Sequence, residues 1–306
     1  MTKYILSRVL QAVPVFLASV TLTFILIRMA PGSPFMQERS FSPETIERLN
    51  AHYGLDQPLF VQYVGYLAKL VQGDLGPCIT QGSRTVNDVI RETFPISLEL
   101  GLWGLLFAIV FGLAAGICAS LKPNSWQDGL PMTAAMTGIC IPSFVMGPLL
   151  ALVFALGLGW VNATGWQTPG DRILPAITLG AAYAAYIARL TRGSMLEVLP
   201  QDYMRTAQAK GLTRCRIILV HALKNAILPV VSFLGPATAG IITGSFVVES
   251  VFSIPGMGSM FVMAAFNRDY FLVLGLVAFY SALIVSFNLF SDILLGILDP
   301  RVRLKT

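Results

Sequence analysis

The sequence predicts an all-α integral membrane protein with about six membrane-spanning helices. Hydrophobic residues make up 55% of the 306 residues and charged residues only 12%, with a mean hydropathy of +0.70. A water-soluble core cannot bury that much apolar surface. The apolar residues also form blocks of about 20 or more, the length at which a helix crosses a hydrocarbon core. The alternating segments of a transmembrane barrel are absent, so helices are the expected element.

Apolar length and polar interruptions divide the chain into spans. Pro142 and Pro148 interrupt the third span, but neighbouring helices can satisfy the backbone groups that a proline leaves unpaired in a membrane. The predicted spans cover residues 9–27, 95–121, 130–155, 173–190, 226–248 and 270–298.

The first apolar block follows Lys3 and Arg8, and a cleaved signal begins in the same way. At about 19 residues it is too long for the apolar core of a signal peptide, and no clear small-x-small site follows it. We expect a retained first helix that also serves as a signal anchor.

The basic residues predict that both termini are cytoplasmic. An even number of spans puts both ends on one side, and short basic loops favour the cytoplasm. Lys and Arg gather near the first span, in the 189–225 loop and in the tail, whereas those on the other side lie mostly in one long loop that counts little. The net charge of +5 therefore indicates topology rather than a nucleic-acid partner.

No residue pattern predicts catalysis or a metal site in this chain. The two histidines, His52 and His221, fall on opposite predicted sides of the membrane. The signatures GxxxxGK[ST], HExxH and GxSxG are absent, so nothing indicates nucleotide hydrolysis or proteolysis. The four cysteines are spread singly and support neither a disulfide framework nor a metal site: Cys78, Cys118, Cys140 and Cys215. We expect any chemistry to come from a partner.

Two loops are too long to be simple connections. In the outer loop, residues 32–94, Ser42 can cap a helix that starts at Pro43, and Gly54 can end it. A second amphipathic stretch, LFVQYVGYLAKLVQGDLG, follows. We expect a small folded cap on the outer face.

The cytoplasmic loop, residues 189–225, reads as two short helices separated at Gly211. Glycine permits a left-handed turn there, so the two helices can fold back on each other. Such a basic, partly apolar protrusion can dock a soluble partner or lie on anionic lipid, and the pattern leaves both alternatives open. The apolar positions are Tyr203, Met204, Ala207 and Ala209 in the first helix, then Ile217, Ile218 and Leu223 in the second.

This loop resembles the cytoplasmic loop of ABC importer permeases, in the form found in their peptide and nickel branch. The matching residues are RTAQAKG at 205–211, HALKNA at 221–226 and Pro229. Against the general family pattern, Glu-Ala-Ala with a downstream glycine, Arg205 and Thr206 depart, as do His221 and Lys224. The resemblance covers essentially the whole chain, through MAPGSPF, YGLDQP, GDLGPC, ILPAITLG, ARLTRGSMLEVL, GSFVVESVFSIPGMG, NRDY and LDPRVR.

The resemblance implies the six-helix bundle of a type I ABC importer permease, in the bacterial inner membrane. The domains would be an N-terminal helix with its outer loop at 1–94, a permease domain at 95–298 and a tail at 299–306. The sequences of these motifs are most similar to those of the oligopeptide permeases, with dipeptide, nickel and glutathione permeases as alternatives. The implied partners are a second, homologous permease, two cytoplasmic ABC ATPases, an external solute-binding protein and a peptide. ATP and Mg²⁺ would be bound by the ATPases, and no cofactor by this chain.

The resemblance also implies that the helix around residues 202–210 moves with a cleft in the ATPase, so that the bundle rocks between inward-open and outward-open states. The implied coupling residues are Asp202, Tyr203, Arg205, Thr206, Ala207, Ala209, Lys210, Gly211 and Leu223.

Small and kinked positions where helices must slide are candidates for the path or its gate, namely Pro142, Gly235 and Pro236, although for any one of them ordinary tight packing is the more common explanation. Three carboxylates lie in or at the ends of spans: Glu99, Glu249 and Asp292. Interfacial placement explains all three, and Glu249 is the candidate for a role in the path or gate. In a rival interpretation, an ion-coupled transporter uses them as a relay; inverted repeats would support it, and none is evident.

Overall fold

In the computed structural model, which describes residues 2–29, 35, 42–80, 82, 84–243 and 246–298, the chain is built from helices. The helices are α1 (Thr2–Met29), α2 (Pro43–His52), α3 (Leu59–Val71), α4 (Val86–Leu121), α5 (Trp126–Cys140), α6 (Ser143–Gly157), α7 (Ile173–Val198), α8 (Asp202–Ala209), α9 (Arg214–Ala226), α10 (Leu228–Ile242), α11 (Phe246–Val251), α12 (Met257–Phe266) and α13 (Tyr270–Leu298). The predicted tail at 299–306, residues 30–34 of the MAPGSPF motif and Gly244 lie outside the described residues.

Four helices are long and apolar enough to cross a membrane, and two bent pairs raise the number to six if each pair is one span. The straight spans lie in α1, α4, α7 and α13. The bent pairs are α5 with α6, at 114°, and α9 with α10, at 60°. The predicted count of about six agrees with this arrangement, and two of the six are broken.

Three helices have other bounds than the predicted spans. Helix α4 begins at Val86, before the predicted start at residue 95, because Thr85 and Asp88 form a capping box there. Helix α7 continues to Val198, since no residue stops it before Pro200. The fifth predicted span, 226–248, falls on the bent pair of α9, which begins at Arg214, and α10, which ends at Ile242.

The bend in the third span occurs at Pro142. Ile141 has an extended backbone, with φ −98° and ψ 116°, which is the conformation that a following proline favours. Pro142 then occupies the position before α6, where its missing N–H is not needed. The two halves therefore leave each other at 114° instead of continuing as one helix.

Helices α4 and α7 pack with their backbones in close contact. A Cβ atom on Gly112 would lie 2.7 Å from the carbonyl oxygen of Ala184, and one on Gly180 would lie 2.4 Å from that of Gly104. Small residues at such spacings let membrane helices approach closely. The small residues follow each other at every fourth position of α4: Gly104, Ala108, Gly112 and Gly116.

The outer loop folds into α2 and α3, as the sequence predicts. Ser42 accepts a hydrogen bond from the Thr45 N–H and caps α2, and Gly54 follows that helix with φ +66°. Tyr66 of α3 packs among residues of α1 and α13. Asp269, which is fully buried, accepts two hydrogen bonds from Thr80, both at 2.9 Å, and so ties the loop to the start of α13.

Candidate functional site

Helices α8 and α9 meet at a glycine turn. Gly211 has φ +73°, in the left-handed region that glycine enters without strain. The Leu212 N–H donates to the carbonyl of Ala207, and the Gly211 N–H to that of Gln208. This pair of bonds is the Schellman arrangement that ends a helix. The predicted separation of two helices at Gly211 is therefore confirmed.

One face of α8 is fixed to the bundle. Met204 and Ala207 are buried against Met195 of α7 and against a strip of α9, formed by Ile217, Ala222 and Ala226. Tyr203 accepts a hydrogen bond from the Asn225 amide at 2.8 Å. Because these contacts hold α8 on both neighbouring helices, a force on α8 reaches α7 and α9 directly.

The opposite face of α8 is exposed. Asp202 and Arg205 approach each other at 3.8 Å, with side-chain exposures of 98% and 78%, so their pairing contributes little stability. Of the predicted coupling residues, Ala207 lies on the buried face and Leu223 is half-buried in α9. The exposed ones are Asp202, Tyr203, Arg205, Thr206, Ala209, Lys210 and Gly211.

A second surface, here called the aromatic face, joins α7 to α10. The rings of Tyr183 and Tyr186 lie 6.4 and 5.6 Å from the ring of Phe233. A Cβ atom on Gly240 would lie 2.6 Å from the Tyr183 hydroxyl oxygen, so a larger residue there would displace the end of that side chain. Pro142, Tyr183 and Gly240 line a cavity of about 350 Å³ beside it.

The other two predicted path residues lie apart from this cavity. Gly235 is buried where α10 meets α13, and a Cβ atom there would lie 2.0 Å from the Cβ of Ser291. Pro236, the next residue along α10, is exposed. Gly235 thus serves a close helix contact, while Pro142 borders the cavity.

Glu249 is fully buried within the protein. Its carboxylate accepts hydrogen bonds from the Ser97 hydroxyl at 2.8 Å and from the Ser259 N–H at 2.9 Å. Burial raises the pKa of Glu249, and hydrogen bonds from Ser259, Ser97 and Gly258 oppose that rise. The carboxylate therefore caps the start of α12 and joins α11 and α12 to α4.

We expect Glu249→Ala to destabilise the protein by about 3 kcal/mol, because it leaves the buried donors of Ser97 and Ser259 unpaired. The measurement is the thermal unfolding midpoint of the purified protein in detergent. Glu197→Ala, which removes an exposed carboxylate, is the matched control. Equal midpoints for the two variants would contradict the anchoring role.

The remaining carboxylates each engage different partners. Glu99 pairs with Arg172 at 2.5 Å, and that guanidinium lies 4.9 Å from the ring of Trp166. Asp292 approaches Arg8 at 3.3 Å, which brings the start of α1 beside the end of α13. Within the described part of the chain, no group of three His, Cys, Asp or Glu residues could hold a metal ion.

Sequence reasoning missed the ion pair that joins α5 to α7. Asp128, almost fully buried, binds Arg192 through two hydrogen bonds of 2.6 Å and accepts a third from the Asn124 N–H. This bidentate geometry is the strong form of an Arg–carboxylate ion pair. An aspartate at the start of an apolar span was the available signal, but its partner lies 64 residues away in the sequence.

Known protein families and relatives match this chain along nearly its whole length. Residues 108–304 match the family described as binding-protein-dependent transport system inner membrane component, and residues 1–101 match the N-terminal family of the same membrane components. The oligopeptide transport system permease protein OppB of Haemophilus influenzae is 49% identical over 99% of this chain and 100% of that protein. The dipeptide transport system permease protein DppB of Bacillus subtilis is 43% identical over 99% of each chain.

A solved structure shares the fold. It is a crystal structure of an amino acid ABC transporter with histidines, with a TM-score of 0.52 and 16% identity over 70% of this chain and 94% of that chain. At that identity the likeness bears on the fold alone. With apolar helices that can span a membrane and a family match over most of its length, the chain is a multi-pass membrane protein that belongs to the binding-protein-dependent transport system inner membrane components.

Proposed function

We propose that this chain is one of two permease subunits of an ATP-driven oligopeptide importer in a bacterial inner membrane. Its full-length similarity to relatives named for oligopeptide and dipeptide transport supports the substrate class. The second permease would be a homologue, and an external solute-binding protein would deliver the peptide. ATP and Mg²⁺ would be bound by two cytoplasmic ABC ATPases.

The architecture of α8 is the observation that carries this proposal. Its exposed face, which includes Arg205, Thr206 and Ala209, offers a short rigid helix to a cleft in an ATPase. Its buried face, through Met204 and Ala207, is packed on α7 and α9. When ATP closes the ATPases, a movement of α8 would pass to α7 and, through the glycine contacts, to α4.

The aromatic face is our candidate for this subunit's wall of the transport path. Tyr183, Tyr186 and Phe233 are uncharged, and peptides differ in the charge of their side chains. A wall without charge can let many peptides pass without holding any of them tightly. The second permease would face this surface and close the path.

The proposed orientation puts both chain ends and α8 in the cytoplasm. The contact between Arg8 and Asp292 supports two ends on one side, because it joins the start of the first span to the end of the last. The basic residues around α8 support the cytoplasm as that side.

The test is reconstitution of this chain in liposomes with its second permease, its two ATPases and its binding protein. We expect uptake of a labelled oligopeptide that requires both ATP and the binding protein. Competition with unlabelled dipeptide, glutathione or Ni²⁺ identifies the substrate class. Uptake by this chain alone, without the ATPases, would contradict the proposal.

A further inference from the structure

A cavity of about 220 Å³ lies beneath the outer loop, between α1, α3 and the start of α13. We call it the outer pocket. It combines two cations, two tyrosines, two glutamines and three glycines, and in the described part of the chain no acidic residue lines it. Its lining includes Phe24, Arg28, Gln62, Gly65, Tyr66 and Lys69.

Three buried polar atoms on residues of the outer pocket have no hydrogen-bond partner among the described residues. They are the Tyr66 hydroxyl, the Arg28 Nε and the Gln62 Oε1. Tyr66 is only 5% exposed. The orientation of Gln62 is fixed, because its amide nitrogen donates to two backbone carbonyls, at 3.1 and 2.7 Å. Unpaired buried polar groups destabilise a protein, so a ligand that satisfies them gains affinity.

Arg28 is held in place by aromatic rings. Its guanidinium carbon lies 5.3 Å from the centre of the Phe24 ring and 4.8 Å from that of the Tyr270 ring. Contacts of this kind cover the flat faces of the guanidinium and leave its N–H edges to meet an acceptor. No carboxylate pairs with Arg28 within the described part of the chain. Lys69 adds a second positive charge to the same pocket.

We propose that the outer pocket binds the phosphate of a phospholipid headgroup, phosphatidylglycerol in particular. Arg28, Lys69 and the Tyr66 hydroxyl donate to the phosphate oxygens, and a planar guanidinium suits that oxyanion. The Gln62 oxygen accepts from a glycerol hydroxyl of the headgroup. An ethanolamine headgroup would instead bring a further positive charge close to the two cations.

The position of the pocket on the first span favours a lipid over a soluble anion. Arg28 lies in the last turn of α1, where an apolar span ends and headgroups begin. Leu22, Ile25 and Leu26, which precede it on α1, are exposed and can lie along acyl chains. Arginine and lysine side chains near the end of a membrane helix reach the level of the headgroups, where a phosphate can pair with them.

The decisive variant is Tyr66→Phe, which removes a hydroxyl that bonds to no described residue. The assembled permease complex in detergent is titrated with dioctanoyl phosphatidylglycerol, and bound lipid is counted by native mass spectrometry. We expect one saturable site and a loss of affinity of about three- to tenfold in the variant, with a thermal midpoint without lipid at or above that of the wild type. The control is Arg91→Gln, which removes an exposed outer arginine that does not line the pocket.

A second variant closes the pocket instead of changing its polarity. A Cβ atom on Gly65 meets no atom within 4 Å, so Gly65→Leu fits on α3 and extends into the space that the lipid would use. We expect it to weaken binding of phosphatidylglycerol more than Tyr66→Phe does. Equal affinity in the wild type, Tyr66→Phe and Gly65→Leu would overturn the proposal.

Three further ligands test whether the bound phosphate belongs to phosphatidylglycerol or to another molecule. Dioctanoyl phosphatidylcholine is expected to bind at least tenfold more weakly, since it carries a bulky cation and no hydroxyl donor. Inorganic phosphate and a short peptide are expected not to displace the lipid. Displacement by either one, or equal binding of phosphatidylcholine, would overturn phosphatidylglycerol as the occupant. None of these readouts depends on transport, so their failure is distinct from failure of the proposed function.

Discussion

Replacement of Gly211 by valine is expected to reduce ATP-dependent peptide uptake at least tenfold, while the chain still assembles in the membrane. The cause is the backbone. Gly211 has φ +73°, and a Cβ atom there would meet nothing within 4 Å, so no steric clash with a neighbouring residue is involved. A left-handed conformation costs an L-residue about 1–2 kcal/mol, and a β-branched residue tolerates it poorly.

Valine is therefore expected to draw the backbone out of the left-handed region. The hydrogen bond from the Leu212 N–H to the Ala207 carbonyl, which is long at 3.4 Å, would then break. This bond belongs to the turn that sets the direction of α8 relative to α9. Because α8 would present its exposed face at another angle, the ATPase could hydrolyse ATP without moving the bundle.

The measurement compares peptide uptake and ATP hydrolysis in the same proteoliposomes. We expect ATP hydrolysis to stay within about twofold of the wild type, so that the ratio of uptake to hydrolysis falls. Such a result would mean that the variant has lost the coupling between ATP hydrolysis and the movement of the bundle. Gly211→Asn, which accepts a left-handed backbone, should retain most of the uptake. Gly193→Val, at a helical glycine of α7 with open space around it, is the second control. Uptake by Gly211→Val at the wild-type rate would refute the coupling role of this turn.

The turn at Gly211 was predictable because its determinants are local. A glycine between two amphipathic stretches, with Leu212 behind it, contains most of what a Schellman turn needs. The cap at Ser42 and the length of the apolar blocks are local in the same sense. These features depend on residues a few positions apart, and a single sequence displays them.

The features that sequence reasoning missed depend on distant partners. The surroundings of Glu249 were not predicted, because Ser97, which donates a hydrogen bond to its carboxylate, lies 152 residues away in the sequence. The interruption at Pro142 was visible as a proline, but the sequence alone does not give its angle of 114°. The role of Pro142, Gly235 and Pro236 in a path stays a prediction.

The spacing of small residues in α4 was visible and was not interpreted. Gly112 and Gly116 lie four residues apart, which is the spacing of close helix contacts in membranes. The sequence does not say which helix they meet. Only the structure pairs them with Ala184 and Ala188 of α7.

Replacement of Gly116 by leucine is expected to prevent correct folding. A Cβ atom on Gly116 would lie 2.6 Å from the Ala188 carbonyl oxygen and 2.6 Å from the Cβ of Thr191. A carbonyl oxygen of the helix backbone cannot rotate away as a flexible side chain can. Helices α4 and α7 would have to separate along their contact, at a cost of about 3 kcal/mol or more.

Gly193→Leu, the same substitution at an open position of α7, is the matched control. A Cβ atom on Gly193 meets nothing within 4 Å, so Gly193→Leu adds the same side chain without forcing the helices apart. Fluorescence-detected size-exclusion chromatography of the two variants, extracted from membranes in mild detergent, gives the comparison. We expect a single sharp peak for Gly193→Leu and aggregate or no protein for Gly116→Leu. A folded Gly116→Leu, with a thermal midpoint near that of Gly193→Leu, would mean that α4 and α7 can part without loss, and the route from α8 through α7 to α4 would then lose its physical basis.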